Sequence, residues 1–153
     1  MDKGLTNRMP TELGRNYSLD WRGNPPHMLT RDIPVWYRFL EKWNDGFLKL
    51  WYDCLLGGPL LDAEQKKDPM QRMWRINLAK RADAIVEFKN EVWIIEVSAD
   101  PGVRSIGQCH TYRSLWLRDT PINKLEKAVL VCERIDPDLL DAAGMYGVLV
   151  FIV

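Results

Sequence analysis

Two acidic residues, Asp83 and Glu96, lie in the run RADAIVEFKNEVWIIEVS (residues 81–98), each inside a segment otherwise built for burial. A two-residue turn at Lys89-Asn90 pairs Phe88 with Glu91 and sets an antiparallel register. In that register Ala82, Ala84 and Val86 face Val97, Ile95 and Trp93, forming one continuous apolar face. The other face carries Glu87 opposite Val92, Ile85 opposite Ile94, and Asp83 opposite Glu96. Directly opposed Cβ atoms are roughly 4.5–5.5 Å apart, so two like charges there are destabilising without compensation. A divalent cation is one compensation: carboxylate oxygens suit Mg2+ (or Mn2+), and Mg2+ takes one or two protein carboxylates and keeps several waters. Such a cation orients a water and stabilises charge developing on a phosphate. Neutralisation by Arg81 or Arg104 is the alternative, and a three-residue turn would break the pairing altogether.

The elements that must position these acids are read from periodicity. Residues 1–31 hold Gly4, Pro10, Gly14, Gly23, Pro25 and Pro26 and show no period, which predicts an irregular arm. Its Trp21 and its arginines Arg8, Arg15 and Arg22 suggest a surface for the arm to lie against, on its own domain or on a neighbour. Asp32 is placed to cap a helix, with Pro34 in its first turn. Apolar residues from Ile33 through Trp36, Leu40, Trp43 and Phe47 to Leu55 recur at helical spacing until Gly57-Gly58-Pro59, with Gly46 as the place for a bend or break. Residues 60–71 read as a loop, and 73–79, 81–88 and 92–98 as strands. A helix over 103–118, a strand over 128–135, a short helix capped by Asp136 and a strand over 146–153 complete the chain. The order predicts an α/β fold: a central mixed β-sheet flanked by helices, one domain over 32–153 behind the arm.

Composition narrows the function classes. Lys plus Arg and Asp plus Glu are 21 each, so no global field draws the protein to a polyanion or a membrane. Cys54, Cys109 and Cys132 are far apart in apolar contexts and read as buried thiols of a reducing compartment, not as a disulfide framework or zinc site. No signal peptide and no membrane-length apolar run is visible, which predicts an intracellular protein. No Gly-rich phosphate loop and no nucleophile elbow around Ser98, Ser105 or Ser114 is present. His27 and His110 could act as ligands or bases but are isolated in sequence; His110 reads as a packing or surface residue.

The arrangement of helix, strand with Asp83, hairpin, Glu96-Val97-Ser98 and helix resembles the PD-(D/E)XK nuclease superfamily. In that family an Asp closes one strand, an acidic residue follows thirteen or more positions later, and a lysine comes two residues after it. Here Ala82-Asp83 matches without the proline, and Glu96 lies thirteen positions on in VWIIEV. Gln108 and Tyr112, four apart on one helical face, resemble the Gln-x-x-x-Tyr element of the exonuclease-like branch. The resemblance implies a restriction-endonuclease-like core in which Asp83 and Glu96 hold Mg2+ or Mn2+. It implies also that Gln108, Tyr112 and Arg104 contact a DNA substrate. The family's acid on the first helix would correspond to Glu41 or Asp53.

Ser98 stands where the family has its lysine, and a hydroxyl cannot replace an ammonium beside a phosphate. In the hairpin register Arg81 lies opposite Ser98 and is a candidate substitute, able to stabilise charge although always protonated; Arg104 is another. Arg72, Arg75, Lys80, Arg81, Arg104, Arg113 and Arg118 could form a basic rim for phosphates. Two functions follow: a Mg2+-dependent nuclease acting on DNA, or a degenerate nuclease fold serving as a structural or adaptor protein. Phage head-completion or neck components, whose arm would grip self or other virion subunits, are the concrete form of the second, and would place the protein in a virion.

Overall fold

The computed structural model describes residues 10–153. Its elements are α1 (Ile33–Trp43), β1 (Lys49–Leu56), a 3-10 turn (Gln65–Lys67), α2 (Pro69–Leu78), β2 (Lys80–Glu87) and β3 (Glu91–Val97), followed by α3 (Val103–Asp119), β4 (Leu125–Cys132), α4 (Pro137–Met145) and β5 (Leu149–Ile152). The strands form one mixed sheet in the order β1-β2-β3-β4-β5. The first three run antiparallel, and β4 and β5 continue parallel to β3 through the crossover helices α3 and α4. The α/β class with a helix-flanked mixed sheet is as the sequence predicts.

The hairpin has the predicted register. Ala84 pairs with Ile95, Ile85 with Ile94, Val86 with Trp93 and Glu87 with Val92. The Phe88 N–H donates to the Glu91 carbonyl at 2.8 Å, closing the two-residue turn. Asp136 caps α4 as expected, its carboxylate accepting the Asp138 N–H at 2.8 Å. All three cysteines are free and buried.

Three expectations fail, each for a local reason. The helix begun at Ile33 stops at Trp43, and the chain turns through Gly46 at φ +84°, a conformation glycine adopts without strain. Residues 49–56 are then strand β1, not helix. Both faces of β1 are covered, Leu50 and Tyr52 by α1 and Trp51 and Leu56 by the α3 layer. A strand buried on both faces is a continuous apolar run, which a helical template also fits. Second, residues 69–78 form a helix where a loop and a strand were expected. Asp68 caps it by accepting the Met70 N–H at 3.0 Å, and Pro69 occupies its first position. Third, Asp32 precedes α1 without capping it; its carboxylate reaches across to the Ala99 N–H at 2.8 Å.

The core lies in two layers. On one side α1 packs Trp36, Phe39 and Leu40 against Tyr52, Val86, Ile95 and Val129. On the other, α3 presents Tyr112 and Trp116 to Ile85 and Ile94, and Ile106 and Cys109 to β4 and α4. The described part of the arm folds on its own domain. Glu12 pairs with Leu55 along the outer edge of β1, and the Tyr17 N–H donates to the Leu50 carbonyl. Trp21 sits half-buried against Tyr17 and Tyr52. Arg8 lies outside the described residues.

Inside the α1 layer the Trp36 Nε1–H donates to the Tyr52 hydroxyl at 2.7 Å, with both rings buried. Tyr52→Phe leaves that indole donor without an acceptor, so it should cost about 1–3 kcal/mol in denaturant unfolding. A midpoint unchanged from wild type would show that the indole finds another partner.

Candidate active site

The ladder between β2 and β3 ends at Ala84–Ile95, one pair before the two acids. There Asp83 turns its carboxylate to accept the Val97 N–H at 2.7 Å, while the Ser98 N–H donates to the Val131 carbonyl at 2.9 Å. Strand β3, paired with β4 along its whole length, thus parts from β2 at its end, and Asp83 and Glu96 meet where that ladder opens. The two carboxyl groups lie within hydrogen-bonding reach of each other. Glu96 is buried, and its Oε2 has no hydrogen-bond partner. Tyr112, buried on the facing side of α3, directs its hydroxyl at Glu96.

Burial is the main reason that both acids hold their protons tightly. Asp83 is pushed up to about 7, with the Val97 N–H opposing the shift and the Asp32 charge adding to it. Glu96 is pushed up to about 8 by burial and then by the Asp83 charge, against the Tyr112 hydroxyl. Burial beside Glu96 likewise raises the Tyr112 phenol. No arginine or lysine among the described residues forms an ion pair with Asp83 or Glu96, so neither Arg81 nor Arg104 neutralises them.

Arg81 has another partner. Across β1 and β2, Tyr52 pairs with Ala84 and Cys54 with Ala82, leaving Asp53 abreast of Asp83. Asp53 departs from strand conformation there, with φ +52°. Its carboxylate accepts both the Nε–H and an Nη2–H of Arg81, at 2.8 and 2.6 Å. This two-pronged bond holds Arg81 firmly protonated. Arg81 therefore borders the site with its guanidinium committed to Asp53.

Above the acids is a cavity of about 340 Å3 that Asp32, Asp83, Glu96 and Ser98 line. A wider groove of about 710 Å3 runs beside it, past Lys80 and Thr111. His27, Arg81, Arg104, Gln108 and Tyr112 border both. The fold thus gathers every candidate site residue: Asp83, Glu96, Arg81, Ser98, Gln108, Tyr112 and Arg104. The larger basic rim does not form. Arg72 and Arg75 turn to Glu12, Arg113 to Glu126 and Arg118 to Asp119. Lys80 and Arg104 are in no ion pair among the described residues. Glu41 is exposed and bound to Arg22, and Asp53 is on a strand, so neither is a first-helix acid of this site.

Two further residues join the site. Asp32 is almost fully buried at the start of α1, and its charge reaches both acids. Its cue was a capping position beside a long-range donor that sequence does not display. His27, weighed from the sequence as a ligand or base but isolated there, comes from the arm on the turn that follows Pro25. His110 packs its ring 5.5 Å from that of Tyr146, as a packing or surface residue would.

Among the described residues no three acid, histidine or cysteine side chains converge as a ready metal cluster. The pair itself suits a hard cation that keeps most of its waters: two adjacent carboxylates, one oxygen unpartnered, at the floor of a cavity. Among the described residues no helix is long and apolar enough to cross a membrane. Neither a family model, nor a curated protein, nor a solved structure matches this chain.

Proposed function

We propose that the protein is a nuclease of the PD-(D/E)XK kind, acting on DNA phosphodiesters with Mg2+ or Mn2+. The observation that carries this reading is the meeting of Asp83 and Glu96 at the floor of a cavity with no protein cation on either. Asp83 and Glu96 would hold the cation, which supplies a polarised water and stabilises charge on the phosphate. The Val97 N–H orients Asp83 and the Tyr112 hydroxyl orients Glu96. Lys80 and Arg104 offer unpaired charges to a phosphate backbone in the groove, and Gln108 adds amide donors and an acceptor beside it.

A second reading has its own support. Ser98 carries no charge, and Arg81, the candidate substitute for the motif lysine, is held by Asp53. A fold that keeps its acids while the motif position holds an uncharged serine suits a structural or adaptor protein, such as a phage head-completion or neck component that binds DNA or neighbouring subunits.

Cleavage of linear, nicked and branched DNA in Mg2+ or Mn2+ separates the two. The nuclease reading expects metal-dependent cleavage that falls by more than about a hundredfold in Asp83→Ala and in Glu96→Ala, since even outer-shell changes cost 10–100-fold. Cleavage that survives both substitutions sinks the assignment. A wild-type protein inert in both metals, forming a stable multimer, favours the assembly reading.

A further inference from the structure

We propose that His27 is the proton acceptor for the attacking water, delivered to the site by the arm; this rests on the nuclease reading. The chain from Pro25 to Met28 is a tight turn in which the Met28 N–H donates to the Pro25 carbonyl at 3.2 Å. Pro25 and Met28 are buried and pin its two ends, while His27 is exposed between them. Pro26 takes the second position, and His27 takes the third with φ +65°. That is the third position of a type II turn, where glycine or asparagine is favoured and a histidine is strained. Strained residues that persist cluster at working sites. Here the strain holds an imidazole where the acid cavity and the groove meet.

The other groups at this junction are buried, committed elsewhere or without a lone pair: Asp32 is buried and already accepts the Ala99 N–H at 2.8 Å. Arg81 is bonded twice to Asp53, and Lys80 and Arg104 are cations without lone pairs to offer. The Tyr112 hydroxyl is directed at Glu96, and on the nuclease reading Asp83 and Glu96 would be occupied in holding the cation. A neutral imidazole carries a ring-nitrogen lone pair that can accept a proton, which suits it to this transfer. The charges around it are Asp32, Asp83 and Glu96 from the cavity floor and Arg31, Arg81 and Arg104 from its walls. As the water oxygen bonds to phosphorus, its proton passes to the His27 ring nitrogen and the bond from phosphorus to the leaving sugar oxygen breaks. The leaving oxygen takes its proton from solvent, and the imidazolium then returns its own to solvent.

The chain has two histidines, so His110 is an internal control. In metal-free wild-type protein, a short DNA duplex should shift the 15N and 1H signals of the His27 ring and leave those of His110 in place. His27→Gly keeps the turn, because glycine is unstrained there. It should cut metal-dependent cleavage by about a hundredfold, with DNA affinity unchanged, and added imidazole should restore part of the rate. Cleavage by His27→Gly at the wild-type rate, or a His27 ring unmoved while Arg104 and Gln108 amides shift, overturns the role of His27 alone. A wild-type protein that neither cleaves nor perturbs the groove overturns the nuclease reading and this inference with it.

Discussion

Glu96→Gln should make the protein more stable than wild type above neutral pH and remove much of the pH dependence of its unfolding. Asp83 rises from an ordinary 3.8 to about 7 and Glu96 from 4.5 to about 8 on folding. Folded-state values raised in this way mean that the native protein binds protons more tightly than the unfolded chain. Stability is then fullest below about pH 4, where both states are protonated. It declines as pH climbs toward 7–8, and is level beyond. A shift of one unit corresponds to 1.36 kcal/mol, so the rise at Glu96 from 4.5 to about 8 corresponds to a loss on the order of 5 kcal/mol across that window. A glutamine carries no charge and can donate its amide to Asp83, which removes the penalty. If the pair binds Mg2+, the cation offsets the same repulsion: at about a hundred times Kd it adds about 2.7 kcal/mol. Wild type should therefore gain thermal stability from Mg2+ at pH 8 and Glu96→Gln should not. Thermal scans at pH 5 and pH 8, with and without Mg2+, read all of this. A wild-type stability flat between those pH values would show that the acids do not sit as a buried pair.

Arg75→Ala should be the most damaging change away from the site, at about 3 kcal/mol, or a fall in Tm of roughly 6–12 °C for a domain of this size. Arg75 is the one buried residue of α2, 2% exposed, among otherwise accessible side chains such as Met70, Met73 and Trp74. Its Nη1 donates to the Gly57 carbonyl at 2.6 Å and its Nε to Glu12 at 3.1 Å, tying α2 both to the end of β1 and to the arm. Gly57, at φ +66°, turns that carbonyl toward it. Alanine removes both bonds and leaves a hole where the stem was. Arg75→Met refills the hole without restoring either bond, so the difference between Arg75→Met and wild type measures the polar tie and that between the two variants measures the packing. Limited proteolysis over residues 60–78 should accelerate in Arg75→Ala. An Arg75→Ala protein that melts with wild type would mean that α2 is held by something other than this side chain.

What the chain determined by itself was its short-range geometry. Lys89-Asn90 set a two-residue turn, and a turn of known length dictates which residues face each other across a hairpin. The meeting of Asp83 with Glu96 was therefore legible, as were the α3 face carrying Gln108 and Tyr112 and the capping of α4 by Asp136. Apolar pattern did not separate the end of α1 from β1, because a strand covered on both faces loses its alternation. Nor did pattern locate α2, whose Asp68-Pro69 start is a capping signal inside a stretch that reads as loop. Only the tertiary structure decided the partners of the charged groups. Arg81 is opposite Ser98 by register, yet its guanidinium goes to Asp53, because a left-handed residue in β1 swings a carboxylate into reach. Asp32 and His27 join the site from segments more than fifty residues upstream of the hairpin acids. Turn register is set by neighbours along the chain, whereas the choice of a charge's partner is set by whichever opposite charge or donor the packing brings within about 3 Å.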